Sequence, residues 1–118
     1  MADLEQGVWA GNDSVLNPGN PTWNTSMFVT AMLKGQSGHL ALKAGDAQFG
    51  RLHTVYDGPR PPGYKVMKKE GAIVLGIGGD NSDHGVGTFY EGAMTASYTS
   101  DATDDAIQAN IVAAGYGK

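Results

Sequence analysis

Residues 27–56 read MFVTAMLKGQSGHLALKAGDAQFGRLHTVY, and the fold is decided here. Positions 27–34 are dense in Met, Phe, Val, Thr and Leu, side chains that suit a pleated, half-buried surface. Gly35-Gln36-Ser37-Gly38 follows as a turn, because glycine and small polar residues release the chain from a strand. Residues 39–44 (HLALKA) alternate as a second strand, Gly45-Asp46 predicts another turn, and 48–56 predict a third strand. Three short strands joined by tight turns make a β-meander.

The pattern continues on both sides of this stretch. Residues 2–9 alternate, with Asp3 and Glu5 on one face of an expected strand and Ala2 and Leu4 on the other. Residues 11–25 are rich in Gly, Asn, Asp, Pro and Ser and read as a loop. The run DGPRPPGY at 57–64 is excluded from a central strand, since proline removes ladder donors. AIVLGI at 72–77 is continuously apolar, as a strand buried on both faces would be. Residues 88–98 alternate again. Only the end is helical: Ser100 or Asp101 is suited to cap it, Asp104 and Asp105 favour its positive end, Ile107, Ile111 and Ala114 recur at helical spacing, and Gly115 stops it. This narrow apolar stripe predicts packing on the sheet edge. The expected fold is mainly β, an antiparallel sandwich with one C-terminal helix.

The whole chain of 118 residues fits a single domain. A net charge of −4, with eight Lys and Arg scattered except for Lys65, Lys68 and Lys69, argues against a nucleic-acid partner. There is no cysteine, so disulfide and thiolate chemistry are excluded. No apolar run approaches the roughly 20 residues of a membrane span, and no basic-then-apolar leader is visible.

Two acidic residues stand out. Glu5 lies within strand-like sequence, and Asp80 follows the apolar run and the Gly78-Gly79 pair. Paired carboxylates delivered from two strands are what glycosidic bond cleavage needs, one to attack or activate water and one to protonate the leaving oxygen. Each also has a plainer reading. Asp3 and Glu5 would serve as solvent-facing acids on an edge strand, and Asp80 as a turn residue. Gly76-Ile77-Gly78-Gly79 is not a dinucleotide fingerprint, because loop residues follow where a helix must start. His39, His53 and His84 are dispersed, and Asp80, Asp83 and His84 read better as a solvated loop than as metal ligands. Neither cofactor nor metal is expected. Trp9, Trp23, Tyr56, Tyr64 and Tyr90 suit sugar stacking, although such residues more often fill or cover cores.

The stretch 69–82 (KEGAIVLGIGGDNS), the run 87–95 (GTFYEGAMT), the tail from Ser100-Asp101-Ala102-Thr103 into 108–114 (QANIVAA), and the opening Met1-Ala2-Asp3-Leu4-Glu5 resemble α-L-arabinofuranosidase B catalytic domains of glycoside hydrolase family 54. The resemblance covers nearly the whole chain. It implies a concanavalin-like, jelly-roll-type β-sandwich and retaining hydrolysis of terminal arabinofuranosyl groups on plant cell-wall carbohydrate. It further implies that Glu5 is the nucleophile and Asp80 the acid/base, with Asp3, Gln6, Gly79 and Asn81 as substrate contacts. Gln6 stands where the family usually has Asn. Extracellular location is implied too.

Family catalytic domains are longer, so residues 1–118 correspond to the C-terminal part of one, a shortened sandwich. A cysteine pair that contacts the sugar lies in the part not matched, as does the module that normally follows. Shortening exposes sheet edges and apolar faces, through which a homodimer would form, with aggregation as the other outcome. Three readings follow: a compact hydrolase, a non-catalytic lectin-like sandwich, and a truncated product governed by assembly.

Overall fold

A computed structural model describes residues 2–3, 7–8, 23, 25–60 and 87–118. Its elements are β1 (Ala2–Asp3), β2 (Gly7–Val8), β3 (Val29–Gln36), β4 (His39–Asp46), β5 (His53–Pro59) and α1 (Asp101–Ala114). The expected strand at 72–77 and most of the loop at 11–25 lie outside the described residues. So does the proline run from position 61 onward.

The meander is present, with shifted boundaries. β3 and β4 form an antiparallel hairpin in register Val29↔Asp46 through Gln36↔His39, so Gly35 and Gln36 belong to the strand and only Ser37-Gly38 turns. Gly38 has φ +68°, the left-handed region in which a Cβ is penalised. At the other end Gly45-Asp46 is not a turn. It continues β4, with Gly45 opposite Thr30. Glycine is required there by close approach: a Cβ would lie 2.9 Å from the Arg51 carbonyl oxygen. The chain reverses after Asp46, whose carboxylate accepts the Gln48 N–H at 2.7 Å, and β5 starts at His53 instead of position 48.

β5 pairs antiparallel with β4, from His39↔Pro59 to Ala44↔His53, and a bulge falls where Leu42 faces Tyr56 but Lys43 faces Thr54. Asp57, Gly58 and Pro59 therefore extend the strand, with the proline at its last residue on the outer strand of the β3-β4-β5 sheet. That is where a missing donor costs no ladder bond. Arg60 closes this end: its N–H donates to Gly38 O at 3.1 Å and its Nη2 to Gln36 O at 2.9 Å.

Two expectations are corrected. Residues 2–9 are not one extended strand, because β1 and β2 fold back on each other with Ala2↔Val8 and Asp3↔Gly7 paired. Residues 88–98 form no strand, and none of the described strands pairs with them. Alternation alone does not hold a strand. The ladder must have a partner to satisfy its backbone groups.

α1 begins at Ser100, whose hydroxyl accepts the Thr103 N–H at 3.2 Å, and ends at Gly115 with φ +76°. Its covered stripe is Asp104, Ile107, Gln108 and Ile111, at i, i+3, i+4 and i+7, and the two fully covered members are polar. Ala114 is exposed. The helix lies against the face of β3 and β4, not the sheet edge, through Asp104 to Lys34 and Lys43 and through Gln108 Nε2, which donates to Asp46 O at 2.7 Å. The central strand β4 is buried from Ala41 to Asp46, and Ala41, Leu42, Ala44 and Ala47 are the buried apolar residues among those described.

Candidate functional site

Of the six residues expected to form the site, Asp3 alone lies in a described element. It sits in β1, paired with Gly7 across the two-stranded ladder. Glu5, Gln6, Gly79, Asp80 and Asn81 lie outside the described residues. The pairing of Glu5 with Asp80 therefore stays an expectation. Trp9, Tyr64, Asp83 and His84 also fall outside it.

The described residues hold a different concentration of charge. Alternation places Thr30, Met32 and Lys34 on one face of β3, and the register puts Lys43 beside Met32 on that same face. The first turn of α1 is laid over them. Lys34 Nζ donates to Asp104 Oδ2 at 2.6 Å and Lys43 Nζ donates to the same oxygen at 2.7 Å. Lys43 also donates to Asp101 Oδ1 at 2.6 Å, and Thr99 Oγ1 donates to Asp104 Oδ1 at 2.5 Å. Asp104 is fully buried, while the Asp101 side chain keeps 78% of its surface in solvent. Two ammonium groups and two carboxylates cancel, as burial demands.

The environment decides the protonation states. Burial alone would raise the Asp104 pKa, yet hydrogen bonds from Lys34, Lys43 and Thr99 outweigh it and hold the carboxyl below its usual range. Burial would likewise lower Lys43, but Asp101 and Asp104 hold its ammonium well above the usual lysine range. The Lys43 hydrogen bond is the main cause that lowers Asp101. Lys43, locked as a cation between carboxylates, has no proton to exchange near neutral pH. The cluster is structural: it fastens the helix to the sheet.

Lys34 Nζ also stands 4.3 Å from the centroid of the Tyr98 ring, a cation–π contact. Tyr98 also meets His39 in a T-shaped contact, with centroids 5.8 Å apart, and His39 Nε2 lies 2.5 Å from Asp57 Oδ1. These contacts link β4, β5 and the segment before α1 in one polar layer. Sequence reasoning placed His39 in a strand and missed its partner. It also treated Asp104 only as a favourable charge at a helix start. The available signal was that Asp104 and Gln108 occupy stripe positions beside Ile107 and Ile111. A polar pair there must meet polar groups on the sheet.

A second cluster is aromatic. Phe28, Tyr90 and Tyr116 lie with ring centroids 5.3 to 5.5 Å apart, and Tyr116 OH donates to Glu91 Oε1 at 2.5 Å. That bond, the largest cause, raises the Tyr116 pKa above its ordinary value. Trp23 packs on His53 with centroids 5.4 Å apart. Among the described residues no group of three His, Asp or Glu is placed to hold a metal ion.

A family profile described as "Alpha-L-arabinofuranosidase B, catalytic" matches residues 1–117. An arabinofuranosidase/B-xylosidase of Trichoderma koningii is 55% identical over 118 residues, covering 98% of this chain and 23% of the relative. An α-L-arabinofuranosidase B of Aspergillus oryzae is 52% identical with the same coverage. The chain therefore spans about a quarter of the length of the curated relatives that it matches. Two solved structures superpose with a TM-score of 0.64 at 54% identity, covering 74% of this chain and 18% of theirs. One is a mutant GH54 α-L-arabinofuranosidase soaked with 4-nitrophenyl α-L-arabinofuranoside, the other an arabinofuranosidase complexed with arabinofuranosyl-alpha-1,2-xylobiose.

Proposed function

The chain belongs to the α-L-arabinofuranosidase B catalytic family, and on that premise we propose that it carries the reacting carboxylates of a retaining α-L-arabinofuranosidase acting on plant cell-wall arabinoxylan or arabinan. The observation that supports this most is the match over residues 1–117; the roles of Glu5 and Asp80 rest on the sequence resemblance described above. Ionised Glu5 attacks the anomeric carbon of the terminal arabinofuranosyl group. Protonated Asp80 gives its proton to the departing oxygen. Water, deprotonated by the resulting Asp80 carboxylate, then releases the sugar with its configuration retained. Such a course requires the two carboxyl groups about 5–5.5 Å apart. Asp3, Gln6, Gly79 and Asn81 hold the sugar.

In this reading residues 1–118 are the C-terminal portion of a concanavalin-like, jelly-roll sandwich, and the enzyme works outside the cell. Among the described residues no helix is long and apolar enough to cross a membrane. Val29 and Leu33 of β3 are 47% and 61% exposed, which supports pairing with a second copy through that strand. The second reading is a sugar-binding sandwich without turnover, because a family's fold does not by itself carry a complete site.

Hydrolysis of 4-nitrophenyl α-L-arabinofuranoside tests the proposal. Release of nitrophenol by the parent, abolished in both Glu5→Gln and Asp80→Asn, is the expected result. An inactive parent that still binds arabinosides would leave the second reading in its place.

A further inference from the structure

Tyr90 is 59% exposed although two other rings lie against it, and Phe89 and Met94 beside it are 51% and 55% exposed. An aromatic residue that merely fills a core does not keep most of its surface in water. Its position is nevertheless fixed. Phe28, just before β3, and Tyr116, after α1, contact the ring with centroids 5.3 and 5.4 Å away. Tyr116 is held in turn by its hydroxyl bond to Glu91 and by Gln48 Nε2, which donates to its carbonyl oxygen at 2.9 Å. Segments far apart in sequence thus meet to hold one open ring. Glu91 is exposed beside it with one carboxylate oxygen committed to Tyr116.

We propose that Tyr90, with Glu91, is a stacking platform for a neutral pyranose ring of a saccharide chain. The inference rests on the carbohydrate reading above. A pyranose chair presents a flat face of C–H groups that fits an aromatic ring, whereas a puckered furanose fits it poorly. The second oxygen of Glu91 accepts a sugar hydroxyl at the rim. The carboxylate and the net charge of −4 disfavour an anionic ligand. A ring already fixed by its neighbours loses little entropy when the sugar stacks on it.

The test is a titration of the intact chain with xylobiose, followed by NMR and repeated on Tyr90→Ala, Tyr90→Trp and Glu91→Gln. Shift changes confined to residues 87–94 and Tyr116 are expected in the parent. Tyr90→Ala should weaken binding about tenfold, Tyr90→Trp should keep it, and Glu91→Gln should fall between. An unresponsive parent, shift changes elsewhere, or undiminished affinity in Tyr90→Ala with helix content intact would overturn the proposal. The parent titration decides even if Tyr90→Ala fails to fold. Aryl arabinofuranoside hydrolysis has no pyranose requirement and reports on Glu5 and Asp80 alone, so the two readings fail separately.

Discussion

Asp104 and Lys34 meet at 2.6 Å inside the protein, 70 residues apart in sequence. Lys43 joins them at 2.7 Å, so one buried carboxylate ties both strands of the β3–β4 hairpin to the helix. Removing that carboxylate leaves two ammonium groups under α1 with only the exposed Asp101 to face them. Asp104→Asn is expected to lower unfolding stability by about 3–5 kcal/mol, measured by urea denaturation followed by circular dichroism. Replacing Lys34, Lys43 and Asp104 together by Met, Met and Leu should recover most of that loss, because no charge is then stranded. A triple variant no better than Asp104→Asn would mean that the ion cluster is not what holds the helix down.

The same cluster sets the pH range of stability. Asp104 and Asp101 are held below their unfolded values. Their contribution is complete above about pH 4–5 and is lost as pH falls through the folded values. Lys43 is held above its unfolded value, so its contribution is complete below about pH 10 and is lost as pH rises further. Melting temperature should therefore be flat between these limits and fall on both sides, with α1 detaching first on the acid side. A protein more stable at pH 3 than at pH 7 would contradict this assignment of charges.

The strands were legible because their determinants are local. Strand-forming side chains between glycine and polar turns gave the β3–β4–β5 order, and Ser100 and Gly115 marked α1. What escaped depends on distant contacts. Gly45 looks like a turn residue until the Arg51 carbonyl is seen beside it. The alternation at 88–98 looks like a strand until a ladder partner is sought for it. Thr30 and Lys34 are buried while Val29 and Leu33 on the opposite face are open, the reverse of a hydropathy reading. Only the polar stripe of α1 accounts for that. The expected pairing of Glu5 with Asp80 came through resemblance alone, and both residues lie outside the described ones.

Two glycines of the hairpin separate backbone strain from crowding. Gly45→Ala puts a methyl group 2.9 Å from the Arg51 carbonyl oxygen, against backbone that cannot rotate away. Overpacking of this kind costs about 1–3 kcal/mol. Gly38→Ala meets nothing within 4 Å, but its φ of +68° remains, and the left-handed conformation costs about 1–2 kcal/mol. Gly38→Asn should therefore recover part of the loss at position 38, whereas Gly45→Asn should be no better than Gly45→Ala. Equal rescue at both positions in thermal melts would show that crowding against Arg51 is not the constraint.

Leu33 lies opposite Leu42 in the β3–β4 register, yet Leu42 is 4% exposed and Leu33 61%. With Val29 at 47%, β3 carries an apolar strip beside a strand whose outer edge has no pairing among the described residues. Full burial of one Leu or Val side chain stabilises by about 1.5–3 kcal/mol, so covering this strip in two copies offers a substantial drive to associate. Charge placed on such a strand opposes pairing. Leu33→Lys is expected to shift sedimentation from dimer to monomer at micromolar concentration while leaving the circular dichroism spectrum of the hairpin and helix in place. A parent that sediments as a monomer throughout that range, or a Leu33→Lys variant that associates as well as the parent, would remove β3 as the contact between copies.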